Sequence, residues 1–427
     1  ENGNNIIYTT DNEINLNNTK ISELKTFFVS KNSRFDYNSN FKLVSGIFSK
    51  NHCLTIDEVG KFNQDMSEFS TLGEEQYLKT DEYKTMDVAE VGFAISSPAL
   101  SLAQSNREII FKIQFTPSSI KNLTNLIIDI SNQRGLSEEE IFTEVFDNMF
   151  IINYTNEEGW VSVEDYSIIY PEDWSTGEIS VKVDLNKRQP SVDPYNEEIH
   201  LKNFNTTFPL FQFLLNATDF YHSYSFITGM ELSKIDIEVT VKDLKRIFAK
   251  NKQGDIDLNG EFDFLGAAPG VGSEIKIGSN ELFCKPIEWF SLRWDYTNLP
   301  TEYMDLKDYY QNYNREIDTS SFKLKLSALS DFTYRRMGSK DHEFEMFSLD
   351  EDAKIMSSFE FKDFDPASLN LKPKYDLKYE DVESYSKESE TGFLKLELIE
   401  PKIGFGFDIF SSIYSEAVLK TTTKKKG

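Results

Sequence analysis

The apolar and polar positions of VGFAISSPALSLAQSNREIIFKIQFT, residues 91–116, follow a definite order. A short apolar strand comes first, then a break at Ser96-Ser97-Pro98, then an apolar turn. Ile109, Phe111, Ile113 and Phe115 next alternate with Ile110, Lys112 and Gln114. A period of two predicts a strand with one firmly apolar face. Pro98 has no N–H for a sheet ladder and marks the boundary between the two strands. Thr116-Pro117 predicts a helix start, with Thr as N-cap and Pro in the first turn. Ile120, Leu123, Ile127 and Ile130 supply its apolar stripe. Ser137 and Glu140 have capping-box spacing ahead of Ile141, Val145 and Phe146, so a second helix is expected. MFIINYT, WVSVEDYSIIY and EISVKVDL then read as strands, with Gly159, Pro171, Gly177 and the Pro190–Pro194 segment in the loops.

On either side the pattern is more mixed. Residues 1–19 are Asn-rich and read as a loop, and KISELKTFFVSK, residues 20–31, carries Ile21, Leu24, Phe27 and Phe28 at helical spacing. FKLVSGIFS reads as a strand, and residues 50–86 as an acidic loop with one short helix. Downstream, TFPLFQFLLN is strongly apolar, and in KIDIEVTVKDL the residues Ile235, Ile237, Val239 and Val241 share a face. Residues 245–281 are turn-rich. SLRWDYTNL, SFKLKLSAL and FLKLELIE read as strands, and residues 301–313 and DIFSSIYSEAVLK, residues 408–420, as helices. The closing TTTKKKG reads as a solvated polar tail. Clustered strands with short helices at their edges predict an α+β, mostly β protein rather than an alternating β-α-β one. The expected organisation is a mixed segment over 1–86, an α+β domain over 87–250, a turn-rich β segment over 251–330 and a C-terminal β segment with a terminal helix over 331–427. Weak breaks are expected near 50–86, 186–200 and 331–390.

Composition narrows the function. The 427 residues include 35 Phe and 20 Tyr, as expected of an aromatic-rich β core. The net charge is −26, and a phosphate backbone or an anionic membrane surface calls for the opposite sign. The sequence therefore predicts neither nucleic-acid binding nor direct membrane insertion, and no apolar run is long enough to span a bilayer. Cys53 and Cys284 are far apart; one disulfide is compatible with them, but two reduced buried thiols are the favoured reading. The first residue is Glu1, so the N-terminus reads as a cleavage or similar boundary, and a leader upstream is left open.

Several stretches resemble chemistry without completing it. DIDLNG opens like a calcium loop with Asp255, Asp257, Asn259 and Gly260, but its twelfth position, where a bidentate Glu is needed, is Gly266. It reads as a turn. GAAPGVG, residues 266–272, lacks the Lys-Ser/Thr pair and the following helix of a phosphate loop. His52, His200, His222 and His342 have no zinc spacing and read as isolated surface or edge residues. Glu138, Glu139 and Glu140 complement a helix dipole. The Asn122 and Asn153 sequons matter only in a secreted, glycosylated chain. No catalytic residue, metal ligand or cofactor site is expected.

The opening stretch resembles a segment of the baseplate J-like proteins of contractile injection systems, including the Gln104-Ser105-Asn106-Arg107 corner. The resemblance continues in order through Gly159-Trp160, TFPLFQFLLN and SKIDIEVTVKDLKRIF. It then takes in VGSEIKIGSNELFCKPIEWFSLRWDYTNLP and GFGFDIFSSIYSEAVLK, and so covers roughly residues 90–420. The residues that carry it are Ser97, Pro98, Arg107, Gly159, Trp160, Gly278, Ser279, Phe283, Lys285, Leu299 and Pro300, all as structural positions. Cys284 stands where a small residue is expected, and residues 331–390 match poorly. The resemblance implies an elongated multidomain wedge subunit, without enzymatic activity, repeated sixfold around a central spike. Implied partners are a paralogous baseplate J-like protein, a small wedge protein, the spike or hub, the sheath and tail-fibre proteins. Implied too are cytoplasmic assembly, a later place in a released particle or membrane-docked apparatus, and a share in the conformational change that releases contraction. A different class, a secreted β-rich adhesin or glycan-binding module, also suits an acidic, aromatic-rich β chain.

Overall fold

The computed structural model describes residues 24–38, 41–53, 86–400 and 416–426, apart from Gln104, 217–221, 245–246, Ala268, 280–286, Asn298, 300–301, 314–315, 331–332, 337–342, Ser357, 365–384 and 390–392. The chain divides into two compact units, Glu1–Val91 with Leu215–Thr228, and Gly92–Leu214 with Gly229–Gly427.

In the first unit, strands β1 (Leu24–Asn38) and β2 (Phe41–Cys53) form an antiparallel hairpin, and β3 (Asp87–Val88) pairs with β2. The helix expected over residues 20–31 is therefore corrected: from Leu24 onward the chain is strand, and residues 20–23 lie outside the described residues. The reason is pairing with β2. Thr26 is buried while Lys25 and Phe27 are exposed, a period of two that the spacing of the apolar residues alone conceals. Phe28 faces Phe48 across the ladder, with their rings 6.5 Å apart. The helix His222–Ile227 joins this unit through Ser225, whose Oγ accepts from the Val44 N–H at 2.7 Å.

The second unit opens with the sequence pattern described above. β4 (Gly92–Ser96) ends at Ser97, whose Oγ accepts from the Ala99 N–H at 3.2 Å and caps the 3-10 turn Pro98–Leu100. β5 (Asn106–Phe115) follows, its odd-numbered residues 107–113 buried and its even-numbered ones half-exposed. Then come α1 (Pro117–Arg134) and α2 (Glu138–Phe146). The Ser137–Glu140 capping box is present on α2. Thr116 does occupy the N-cap of α1, but its hydroxyl bonds the Ser119 hydroxyl at 2.9 Å instead of a helix N–H.

β6 (Phe150–Asn156), β7 (Gly159–Ser162), β8 (Tyr166–Ile169) and β9 (Glu178–Leu185) succeed one another, then the single turn α3 (Glu197–His200), β10 (Leu210–Leu215) and β11 (Leu232–Lys242). The later part of the chain adds β12 (Phe248–Asn251), β13 (Gly254–Ile256), β14 (Phe262–Asp263), β15 (Glu274–Gly278) and β16 (Ile287–Tyr296). It ends with β17 (Lys323–Ser330), β18 (Thr333–Arg336), β19 (Phe344–Glu345), β20 (Ser358–Phe364), β21 (Phe393–Glu400) and β22 (Glu416–Lys426). Among the described residues of the 301–313 segment, only Leu306–Tyr309 is helical.

These strands build a four-stranded sheet ordered β4-β10-β6-β7 and an eight-stranded sheet ordered β20-β16-β22-β11-β5-β9-β8, with β14 on β22. A seven-stranded sheet runs β13-β12-β15-β21-β17-β18, with β19 on β17. The chain is thus α+β and mostly β. The first two sheets meet through rings: Phe111 of β5 lies 5.3 Å from Phe211 and 5.0 Å from Phe213 of β10. Phe213 also contacts Phe150 and Phe93 at 5.5 and 5.1 Å. Gly92 is required on β4, because a Cβ there would come within 1.9 Å of the Phe213 carbonyl oxygen.

The chain's end departs furthest from expectation. The helix expected over 408–420 and the solvated tail beyond it are corrected from Glu416 onward: Glu416–Lys426 is strand, and residues 408–415 lie outside the described residues. β22 pairs antiparallel with β16 on one side and β11 on the other. Three consecutive threonines suit a pleated ladder better than a helix, since β-branching restricts χ1 in helices. Strands from before residue 250 and after residue 416 therefore share one sheet, whose two halves β22 joins. Deleting residues 416–427 should leave β11 and β16 with open edges and abolish cooperative urea unfolding. A truncated chain with an unchanged midpoint and slope would contradict the central place of β22.

Candidate functional site

The corner that joins β4 to β5 is built around Arg107. Arg107 lies on the buried face of β5, opposite Leu185 of β9 and Val241 of β11, and is 2% exposed. Its guanidinium donates to four backbone carbonyls: Nε to Ser105 at 3.1 Å, Nη1 to Pro190 at 2.8 Å, and Nη2 to Asn186 and Gln189 at 3.2 and 2.9 Å. Burial pulls its pKa down to about 10, against the opposing influence of Tyr154 and Asp193, so it keeps its charge at neutral pH. Tyr154, whose OH reaches the same Pro190 carbonyl at 3.3 Å, is pushed up to about 12 by burial, and the nearby Arg107 charge pulls it the other way.

The segment 186–200, expected as a weak break, is thus corrected to a heavily fastened strap. Thr155 Oγ1 donates to the Asp193 carbonyl at 2.6 Å and accepts from the Leu210 N–H at 3.0 Å. The Asp193 carboxylate accepts from Asn156 Nδ2 at 2.8 Å and Ser191 Oγ at 2.7 Å. Leu102, just beyond the Ser97-Pro98 turn, exchanges backbone hydrogen bonds with Val192 at 3.2 and 2.9 Å. A break read from Pro and polar residues is here a loop whose backbone is satisfied by side chains instead of a ladder.

Trp160 holds the strap's far end. Its Nε1–H donates to the His200 carbonyl at 2.9 Å, and its ring meets those of His200 and Phe204 edge-on. Gly159 before it has φ +142, closing the β6–β7 hairpin in a conformation that favours glycine. His200 is not a surface or edge residue as expected but is 2% exposed. Its Nε2 lies 3.1 Å from the Asn156 carbonyl oxygen, and its Nδ1 lies 3.0 Å from the Asn196 nitrogen and 2.8 Å from the Asn196 carbonyl oxygen. Tyr195 stacks on His200, and its hydroxyl donates to the Lys202 carbonyl.

Arg107 and Gly159-Trp160, well separated in sequence, therefore both reach one strap, and Leu102, just beyond the Ser97-Pro98 turn, pairs with it. The remaining motif residues lie elsewhere. Gly278 ends β15, where a Cβ would meet the Phe393 ring at 2.4 Å and the Tyr385 hydroxyl at 2.5 Å. Ser279 is fully buried, and Leu299 is half-buried. Phe283, Lys285, Pro300, Cys284 and His342 lie outside the described residues. In DIDLNG, Asp257 accepts from the Asn259 N–H at 3.0 Å and Asp255 pairs with Lys387 at 2.6 Å. GAAPGVG leads into strand β15.

Beside the strap, an open cleft of about 810 Å³ is lined by Glu157, Asp193, Tyr195, Glu197, Ile199, Phe204 and their neighbours from Pro194 to Phe208. Asp193 and Tyr195 thus serve both the strap and the cleft wall. Sequence reasoning did not select Asn156, Asp193 or Tyr195; the available signal was Asp193-Pro194-Tyr195 following a strand and preceding a Trp-contacting helix turn.

No protein-family model matches the chain, and no curated protein matches it. Among solved structures, one described as "Crystal structure of PBCV-1 VP54 fitted into a cryo-EM reconstruction of the virophage Sputnik" aligns over 79% of this chain and 91% of that chain. The identity is 10% and the TM-score 0.18, a likeness too slight to inform fold or function. The class defined by the fold is accordingly an α+β, mostly β protein with a strapped, ring-packed sheet pair.

Replacing Arg107 tests the strap. Arg107→Ala should leave buried carbonyls without donors and lower unfolding free energy by about 3–5 kcal/mol, read by urea denaturation. Arg107→Lys, with fewer donors and no planar fork, should recover only part of it. A loss below about 1 kcal/mol for the alanine variant would mean the guanidinium is not what holds residues 186–190.

Proposed function

We propose that this chain is a structural assembly subunit, a baseplate wedge component of a contractile injection system. In this role it links the central spike or hub to the sheath and takes part in the rearrangement that releases contraction. The observation that supports the reading is the use made of polar side chains at the motif positions Arg107 and Trp160 and at their neighbours around the strap. Arg107, Asn156 and Trp160 each donate to the chain's own backbone carbonyls, and His200 Nε2 is placed to do the same. Groups committed in this way hold a loop in place; they are not free to bind or transform a substrate. The motif sequence thus serves as scaffold, and the role falls to the surfaces that it positions. Partners in such an assembly are neighbouring wedge subunits, the hub and the sheath, in a sixfold ring whose contacts are two-state elements biased by a trigger.

The experiment is gentle purification of the tagged full-length protein from its native cell, with the eluate imaged by electron microscopy. Sheathed tubes with the tag at a sixfold end-plate are expected. Single particles, with no tube or sheath protein alongside, would overturn the wedge assignment and favour the secreted adhesin.

A further inference from the structure

We propose that the cleft beside α3 is a docking site for a basic, apolar-bearing peptide segment of a partner protein. Three features of one surface carry this, and none depends on which assembly the chain joins. The first is Leu201. It follows α3 with φ +54, in the left-handed region that Gly or Asn ordinarily occupies after a helix, and it is 84% exposed. A leucine held there is strained relative to an ordinary backbone conformation and buries almost nothing in return. The fold therefore supplies no reason for an apolar side chain at this place, whereas a partner covering it would.

The second is the apolar lining of the cleft, at whose edge Leu201 follows in sequence. Ile199, two residues before it, is exposed and lines the cleft. Phe204 and Tyr195 form the adjoining wall, packed edge to face with ring centroids 5.6 Å apart. The strap fastens this wall from behind, through His200 to Asn156 and through Trp160 to the His200 carbonyl. A pre-formed wall loses little conformational freedom on binding, which favours affinity.

The third is charge. Glu157, Asp193 and Glu197 line the cleft, and none of its lining residues is Lys, Arg or His. Asp193 is held in place by Asn156 and Ser191, so its carboxylate has a fixed position. Complementarity calls for Lys or Arg on the occupant, with an apolar side chain to cover Ile199 and Leu201. An open cleft continued by an exposed apolar rim fits an extended segment better than a small enclosed ligand.

The test is selection from a displayed random peptide library on the whole protein, followed by affinity measurement on the enriched peptides. Enriched sequences should combine Lys or Arg with apolar residues and bind less tightly as salt rises. Leu201→Gly should weaken them about tenfold while leaving the melting midpoint unchanged or higher, since glycine relieves the backbone conformation. The double variant Glu157→Gln, Glu197→Gln should weaken them by a similar factor and flatten the salt dependence. Failure to enrich basic peptides would overturn the proposal. So would basic peptides that bind all variants as tightly as the original chain, which would assign their attraction to the overall charge of −26.

Discussion

A buried positive charge with carbonyl partners is the constraint on which the second unit turns. Taking a guanidinium out of water is costly, and a carboxylate partner is the common remedy. Here the remedy is four backbone carbonyls, drawn from Ser105 and from Asn186, Gln189 and Pro190. The geometry suits Arg alone among the cationic side chains, because its planar fork presents several donors at fixed angles. Burial lowers its pKa to about 10 while Tyr154 and Asp193 act in the opposite direction, so the guanidinium stays charged at neutral pH. Since those carbonyls come from two sides of the corner, Arg107 fixes the start of β5 and the exit of β9 together. The path of the strap follows from that.

The aromatic core and the strap meet at β6. Phe150 turns its ring to Phe213, and Tyr154 lies stacked 5.5 Å from Phe211 while its hydroxyl reaches Pro190. Thr155 and Asn156 then bond to the Asp193 region. One strand thus changes within a few residues from packing rings to fastening a loop. Rings contribute through area and edge-to-face geometry, whereas the polar groups contribute chiefly by being satisfied. This division explains why the corner tolerates so many buried polar side chains.

Legibility in the sequence tracked the range of the forces involved. The alternation in β5 and β11, the Ser97-Pro98 break and the Ser137–Glu140 cap depend on neighbours within a few residues, and all were readable. The segment from Leu24 was not, because Leu24, Phe27 and Phe28 satisfy helical spacing as well as a strand, and only pairing with β2 decides between them. Glu416–Lys426 is a stronger case: its partners lie more than 100 residues away, and charge at its end suggested solvent. The strap failed to be read for a related reason. Proline and polar residues ordinarily mark loops, and nothing local tells a loose loop from one pinned by an arginine 79 to 83 residues earlier. Arg107 was singled out through resemblance, while its four acceptors and the burial of His200 emerged only in three dimensions.

Satisfying polar groups inward has a consequence for the surface. A strap that uses its own side chains to hold its backbone presents to solvent mainly what is left over. Around α3 the remainder is Ile199, Leu201 and the carboxylates of Glu157 and Glu197. Left-handed turns of this unit fall on Gly135 and Gly177 without cost and on Asn148, Asp243 and Ala353, whereas position 201 takes one with a leucine, the bulkiest side chain among them. A bulky apolar side chain held in that conformation and left exposed belongs to what the strap displays, not to what shapes it.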